Sequence, residues 1–270
     1  MQDNPIITLT TDFGYKDPFV GVMKGVILKI NPLVKLIDIT HGIKSQDIRE
    51  AAFVIGTSYK FFSDNTIHVV VVDPEVGSGR RPIMVNTDHH YFIGPDNGVF
   101  SYVYRFSQVK PEVIHITADH YFLSSKSPTF QGRDVFCPIA AWFSRGIWMS
   151  KFGDPITDFQ TIAIPTPRLT TEGALRGEVI HIDHFGNAIT NITKSDLDRV
   201  HGPGAGGAIS AMLKGREIPF RRFYAEAEKG KVCSLMNSMG FIELFLYRGS
   251  AAAECNISVS DAVEITVSVQ

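Results

Sequence analysis

The stretch Ile67-His68-Val69-Val70-Val71-Val72-Asp73-Pro74-Glu75-Val76-Gly77-Ser78-Gly79-Arg80-Arg81 decides the fold. Five β-branched apolar positions, interrupted only by His68 and without alternation, describe a strand covered on both faces, as in an α/β sheet. The run stops at Asp73, and Gly77 and Gly79 permit a tight reversal that brings Arg80 or Arg81 back toward the strand end. A second run, Ile6 to Thr10, stops at Asp12 in TTDFGYKD. Parallel strands feed loops at their carboxyl ends, so two such aspartates point to a crevice rather than to a packed interior. A salt bridge that merely braces the loop is the other reading of the aspartate and arginine pair.

Working outward, Asp17-Pro18 reads as an N-cap followed by proline at the first helical position. Phe19, Val22, Met23, Val26, Ile27 and Ile30 then recur at helical spacing up to Asn31-Pro32. Leu36 to Ile39 reads as a strand, and Asp47 with Glu50 has capping-box spacing before a helix through Tyr59. His90 to Ile93 and Val113 to Ile116 are shorter strands, and Asp134 reads as the cap of a third helix. The order β-α-β-α-β predicts an α/β domain over 1–160, with a mostly parallel sheet flanked by helices. The proline-bearing segment 161–173 reads as a linker. Beyond it, 174–270 shows strands at Ala174 to Ile182, Leu244 to Leu246, Ile257 and Ile265 to Val269, a separate and mainly β domain. Residues 201–207, HGPGAGG, read as a flexible loop rather than a phosphate loop.

The chain has 270 residues, 44% hydrophobic and 20% charged, with a formal net charge of -2. Dispersed basic residues weigh against a nucleic-acid surface, and no apolar run reaches the roughly 20 residues of a membrane-spanning helix. The scattered Cys137, Cys233 and Cys255, with an acidic amino terminus and no secretory pattern, predict free thiols in a cytoplasmic protein. No second histidine follows His184 at a ligand spacing, so no metal site is expected.

Four further segments carry polar chemistry. Asp96 and Asn97 in the turn-rich Gly94 to Gly98 supply acceptors and donors suited to sugar hydroxyls. Gln131 in TFQGRD donates and accepts hydrogen bonds but is no base near neutral pH, and its neighbour Arg133 reaches for an anion or a carboxylate. Asp183 and Asn187 form the densest polar group of the second domain. Ser238, with Phe241 as its apolar neighbour, reads either as a carboxylate donor or as an ordinary turn.

Taken in order, TTDFGYKDPFVGVMKGV, IDITHGI, IHVVVVDPEVGSGRR, FIGPDNGVFS, SPTFQGRDVF, IDHFGNAITNI and NSMGFIEL span nearly the whole chain. Together they resemble the S-adenosyl-L-methionine (SAM) hydroxide adenosyltransferase family, relatives of the fluorinating and chlorinating SAM enzymes. The resemblance implies a β-barrel-like C-terminal domain and a homotrimer with SAM sites between one subunit's N-terminal domain and a neighbour's C-terminal domain. It implies hydrolysis of SAM to adenosine and L-methionine, with SAM as substrate and no cofactor. By the same resemblance Asp12 contacts the ribose diol, Asp183 and Ser238 hold the methionine amino and carboxylate groups, and Asn187 binds on the adenine side. Phe13, Asp96, Asn97 and Phe241 complete the expected substrate contacts.

Asp73 and Arg80 match the first two members of the family's Asp-Arg-His set, which orients and activates water. Gln131 stands where that set has histidine. LFLYRGSAA likewise places Tyr247 and Arg248 where the family has smaller or amide residues beside the adenine-side pocket. Two other readings follow from these departures: a SAM- or adenosine-binding protein with weak or lost catalysis, and an enzyme using halide in place of water.

Overall fold

A computed structural model describes residues 4–124, 127–202 and 208–268. The chain divides into two compact units, Met1–Ala163 and Ile164–Gln270. In the first, the order is β1 (Ile6–Thr11), α1 (Phe19–Ile30), β2 (Lys35–Thr40), α2 (Ile48–Ser58), β3 (Ile67–Val71), β4 (Pro82–Thr87), β5 (His90–Pro95), α3 (Ser101–Phe106), β6 (Glu112–Ile116), α4 (Cys137–Ser144) and β7 (Gly153–Pro155). They build a seven-stranded sheet in the order β2-β1-β3-β5-β4-β6-β7. The unbroken apolar run of β3 has its cause here. Val69 and Val71 enter one core with Met23, Ile27 and Ile139, while Val70 and Val72 enter another with Ile55, Tyr59 and Val103. Helices α1 and α4 therefore cover one face, and α2 and α3 the other.

The sheet is mixed rather than mostly parallel. The pairings of β2 with β1, β1 with β3 and β3 with β5 are parallel. Those of β5 with β4, β4 with β6 and β6 with β7 are antiparallel. The difference comes from β4, which the sequence reading did not anticipate. It forms a hairpin with β5 through Asp88 and His89, both at positive φ, so the chain turns back without a crossover helix.

Helix starts also differ from expectation. Pro18, not Asp17, is the cap of α1, and no side chain bonds to the helix start. Proline has no N–H of its own to satisfy, and its carbonyl accepts the first bond, from Val22. At α2 the Asp47 carboxylate accepts from Glu50 N–H, but Glu50 reaches Lys44 N–H instead of Asp47. The Asp47 N–H is already taken by the Lys44 carbonyl, so the reciprocal half of the capping box moves upstream.

Asp134 is not an N-cap. It lies inside a π-helical turn, Gly132–Phe136, that runs into α4, and its fully buried carboxylate binds Arg133 and the Ser127 N–H.

The second unit contains β8 (Arg168–Leu169), β9 (Leu175–Ile182), β10 (Ala188–Thr193), α5 (Lys194–His201), β11 (Ala208–Leu213), β12 (Arg216–Pro219), β13 (Val232–Met236), β14 (Phe241–Leu246), α6 (Ala251–Glu254) and β15 (Ala262–Ser268). Its antiparallel strands follow the order β12-β11-β15-β9-β10-β14-β13, and β8 pairs with β9 inside the segment expected as a linker. A bridge between Phe220 and Ser234, with Arg221 N–H bonded to the Ser234 carbonyl, draws β12 toward β13 and nearly closes a barrel. Ile257 is buried but lies outside any strand, because α6 turns the chain before β15. The sequence reading also missed α5, whose Thr193 and Asp196 make a full capping box. Val269 and residues 203–207 lie outside the described residues. Cys137, Cys233 and Cys255 are free, and no described helix is long and apolar enough to cross a membrane.

Candidate active site

Because β1 lies parallel to β3 with Thr11 opposite Val71, Asp12 and Asp73 leave the same edge of the sheet. They line a cavity of about 370 Å³ with Phe13, Gln46, Phe130 and Gln131. The loop after β3 returns as its glycines require. Gly77 has φ +84, and a Cβ there would stand 2.9 Å from the Pro128 carbonyl oxygen. Glycine thus lets the loop 73–81 lie directly on the segment that carries Gln131.

Arg80 folds back on Asp73 in a bidentate pair, Nε to Oδ1 at 2.9 Å and Nη2 to Oδ2. Both side chains are almost fully buried, at 3% and 5% exposure. Arg80 also lies over the Phe136 ring, 5.4 Å from its centroid. Its Nη1 is buried with no partner among the described residues, so one guanidinium edge keeps an unspent donor. Arg81 turns elsewhere, to Asp96 and Asp158.

Gln131 sits at the start of the π-helical turn, half-buried, and its amide makes no hydrogen bond to a described residue. Phe13, Phe19 and Phe130 pack edge to face, with centroids 5.4 to 5.9 Å apart. They give the cavity an apolar flank. The Asp12 carboxylate accepts from Gln46 N–H at 2.8 Å and is otherwise open to the cavity.

Asp96 and Asn97 stand apart from this cavity. The Asp96 carboxylate is taken by Arg81 and by Gln160 N–H. Asn97 donates to the Val72 carbonyl and accepts from Val99 N–H. In this structure both shape the loop.

In the second unit, Asp183 and Asn187 line a separate cavity of about 470 Å³ with Phe185, Tyr224, Tyr247 and Arg248. Asp183 accepts from the N–H groups of Phe185 and Asn187 and from the Asn187 amide. Gly186 has φ +80, and a Cβ there would meet Ser250 Oγ at 2.0 Å, so this turn closes onto the start of α6. Tyr224 donates to the buried Glu243, and burial with that bond pushes its phenol up to about 12. Burial likewise raises Glu243, which also accepts from the Asn237 amide. Arg248, at φ +58, lies 5.2 Å from the centroid of the Tyr247 ring. Ser238 is exposed in the turn between β13 and β14, Phe241 is buried at the start of β14, and neither lines this cavity.

The sequence reading missed Gln46, Phe19 and Phe130 in the first cavity and Phe185 and Tyr224 in the second. Phe130 had a signal, since it precedes Gln131 on the same turn. Tyr224 had none, because its place depends on barrel closure.

Residues 7–153 match the model of the SAM hydroxide adenosyltransferase N-terminal domain, and residues 177–264 that of the C-terminal domain. The chain belongs to this family. It is 36% identical to the (R)-S-adenosyl-L-methionine hydrolase of Methanocaldococcus jannaschii, over 96% of this chain and 95% of that protein. A fluorinase of Nocardia brasiliensis is more distant, at 26% identity over 97% of each. A crystal structure of an uncharacterized conserved protein from Thermotoga maritima superposes with a TM-score of 0.88 at 30% identity, covering 96% of this chain and 99% of that one.

Proposed function

We propose that this family member cleaves SAM with water or hydroxide, giving adenosine and L-methionine. The observation that carries the reading is the buried Asp73–Arg80 pair, with an unspent guanidinium donor, at the edge of a cavity that Asp12 and Gln131 also line. An oxygen lone pair attacks the 5′ carbon in line with sulfur, the carbon–sulfur bond breaks, and its electron pair neutralises the sulfonium as methionine leaves. Asp73 aligns Arg80, and Arg80 favours the hydroxide form of the nucleophile and fixes its lone pairs. Gln131 orients the attacking oxygen without taking its proton, so the water must lose that proton to solvent or arrive as hydroxide.

Asp12 holds the ribose diol, and the aromatic flank of Phe13 excludes water from the reacting centre. In the second unit, Asp183 and Ser238 serve the methionine end and Asn187 the adenine side. Asp96 and Asn97 act on the ligand only if their present bonds are exchanged. The reaction needs no cofactor, and a homotrimer with sites shared between subunits belongs to the same reading.

The test is to incubate the purified protein with SAM in isotopically labelled water. Labelled oxygen on the 5′ carbon of adenosine supports hydrolysis. SAM bound but unchanged would make the chain a binding protein, and halogenated nucleoside formed in the presence of chloride or fluoride would make it a halide-using enzyme.

A further inference from the structure

We infer that His41 is a positioning residue that sets the ribose-side loop Asp12–Gly14, acting through Thr11; the inference rests on the reading of Asp12 as the ribose ligand. The loop after β2 grips the loop after β1 at several points. Thr11 Oγ1 lies 2.8 Å from His41 Nδ1, and the same oxygen accepts from Phe13 N–H at 3.2 Å. The His41 carbonyl accepts from Gly14 N–H at 2.8 Å, and five residues further on Gln46 N–H binds the Asp12 carboxylate. Every residue from Thr11 to Gly14 thus has a fixed partner, and the histidine supplies two of the contacts.

The far side of the ring fixes its proton. His41 Nε2 lies 3.1 Å from Asp38 Oδ1, an electrostatic contact between ring and carboxylate. A carboxylate only accepts, so it favours the proton on Nε2 and leaves Nδ1 as an acceptor. Thr11 must then donate its hydroxyl proton to Nδ1, which turns its oxygen lone pairs toward Phe13 N–H. Asp38 is itself held by Lys24 at 2.6 Å and Tyr15 at 3.1 Å, and the Tyr15 ring stands edge-on to His41. The imidazole is fully buried and does not line the cavity, so it neither touches the ligand nor moves its protons. Its effect is on where the Asp12 carboxylate and the Phe13 ring come to rest.

The diol is the reporter. Calorimetric binding of adenosine and of 2′,3′-dideoxyadenosine is compared for the full chain and for His41→Phe, His41→Asn and Thr11→Val. The unaltered protein is expected to prefer adenosine. His41→Phe and Thr11→Val lose about tenfold of that preference, the worth of one well-placed hydrogen bond, while dideoxyadenosine binding changes less than about twofold. His41→Asn, whose amide oxygen overlies the ring Nδ1, recovers most of the preference. Thr11→Val keeps the side-chain shape and decides the matter if His41→Phe does not fold. Equal loss for both nucleosides, or variants that discriminate as well as the parent, overturns the positioning role alone. A parent protein indifferent to the diol overturns the Asp12 reading, and this inference with it.

Discussion

Replacing Asp73 with asparagine separates the electrostatics of the site from its shape. The two side chains are nearly isosteric, but the amide turns one acceptor into a donor that faces Arg80. The bidentate pair becomes a single bond, and a guanidinium 3% exposed is left without its counter-charge. Removing one partner of a buried pair costs about 3–5 kcal/mol. The low end applies here, because the cavity lined by Asp73 admits water to the wounded side. A loss of about 3 kcal/mol in a unit of this size lowers its unfolding midpoint by roughly 10 °C.

Thermal and urea unfolding of Asp73→Asn, Arg80→Met and the double variant complete the cycle. The double variant should be more stable than the sum of the single losses implies, with a coupling of about 2 kcal/mol. Additive losses, or an Asp73→Asn change within about 0.5 kcal/mol, would refute the view that the pair is a desolvated unit. Adenosine release by Asp73→Asn, measured well below its midpoint, should fall at least about a hundredfold.

Gln131→His should speed adenosine formation at least about tenfold and introduce a pH dependence near neutrality; an unchanged rate and profile would remove Gln131 from the nucleophile's surroundings. His68 and His90 form a buried pair, Nε2 to Nδ1 at 3.3 Å, and burial holds His68 down at about 3 and lowers His90. The unfolded chain takes up protons near pH 6.5 and the folded one does not. Stability is therefore full above that pH and falls as pH drops toward about 3, by about 1.4 kcal/mol per unit for His68. Urea unfolding at pH 7 and pH 5.5 should show a shallower decline in His68→Gln by that slope. Asp47→Ala removes the acceptor for Glu50 N–H and should cost about 1 kcal/mol in the same assay.

The strand ends were legible because chemistry changes abruptly there. Val69 to Val72 are apolar on both faces, and Asp73 is the first residue that neither core can hold. The return of the chain was legible from Gly77 and Gly79, though the glycines alone left Arg80 and Arg81 open and only the family resemblance selected Arg80. That choice depends on Asp96 and Asp158, 15 and 77 residues away in sequence from Arg81. Strand β4 escaped because it opens with Pro82, and β12 because REIP is short and half charged. Asp134 looked like a cap by composition alone, but the Ser127 N–H and Arg133 claim its carboxylate within a π-helical turn set by packing, not by local preference. Asp96 and Asn97 carry the right functional groups for a ligand, and in this structure those groups are bonded to Arg81, the Gln160 N–H and the Val72 carbonyl.

The contact of Gly77 with the Pro128 carbonyl has a consequence for engineering. Segments 73–81 and 127–134 behave as one cassette whose halves are cut to each other at backbone level. Grafting DPEVGSGRR alone onto a related scaffold would carry the Asp73–Arg80 ion pair but not the surface it is set against. Random mutagenesis confined to one segment would mostly sample mismatched halves. Libraries that vary both together, with Gly77 held constant, keep the two surfaces matched while the residues facing the nucleophile change.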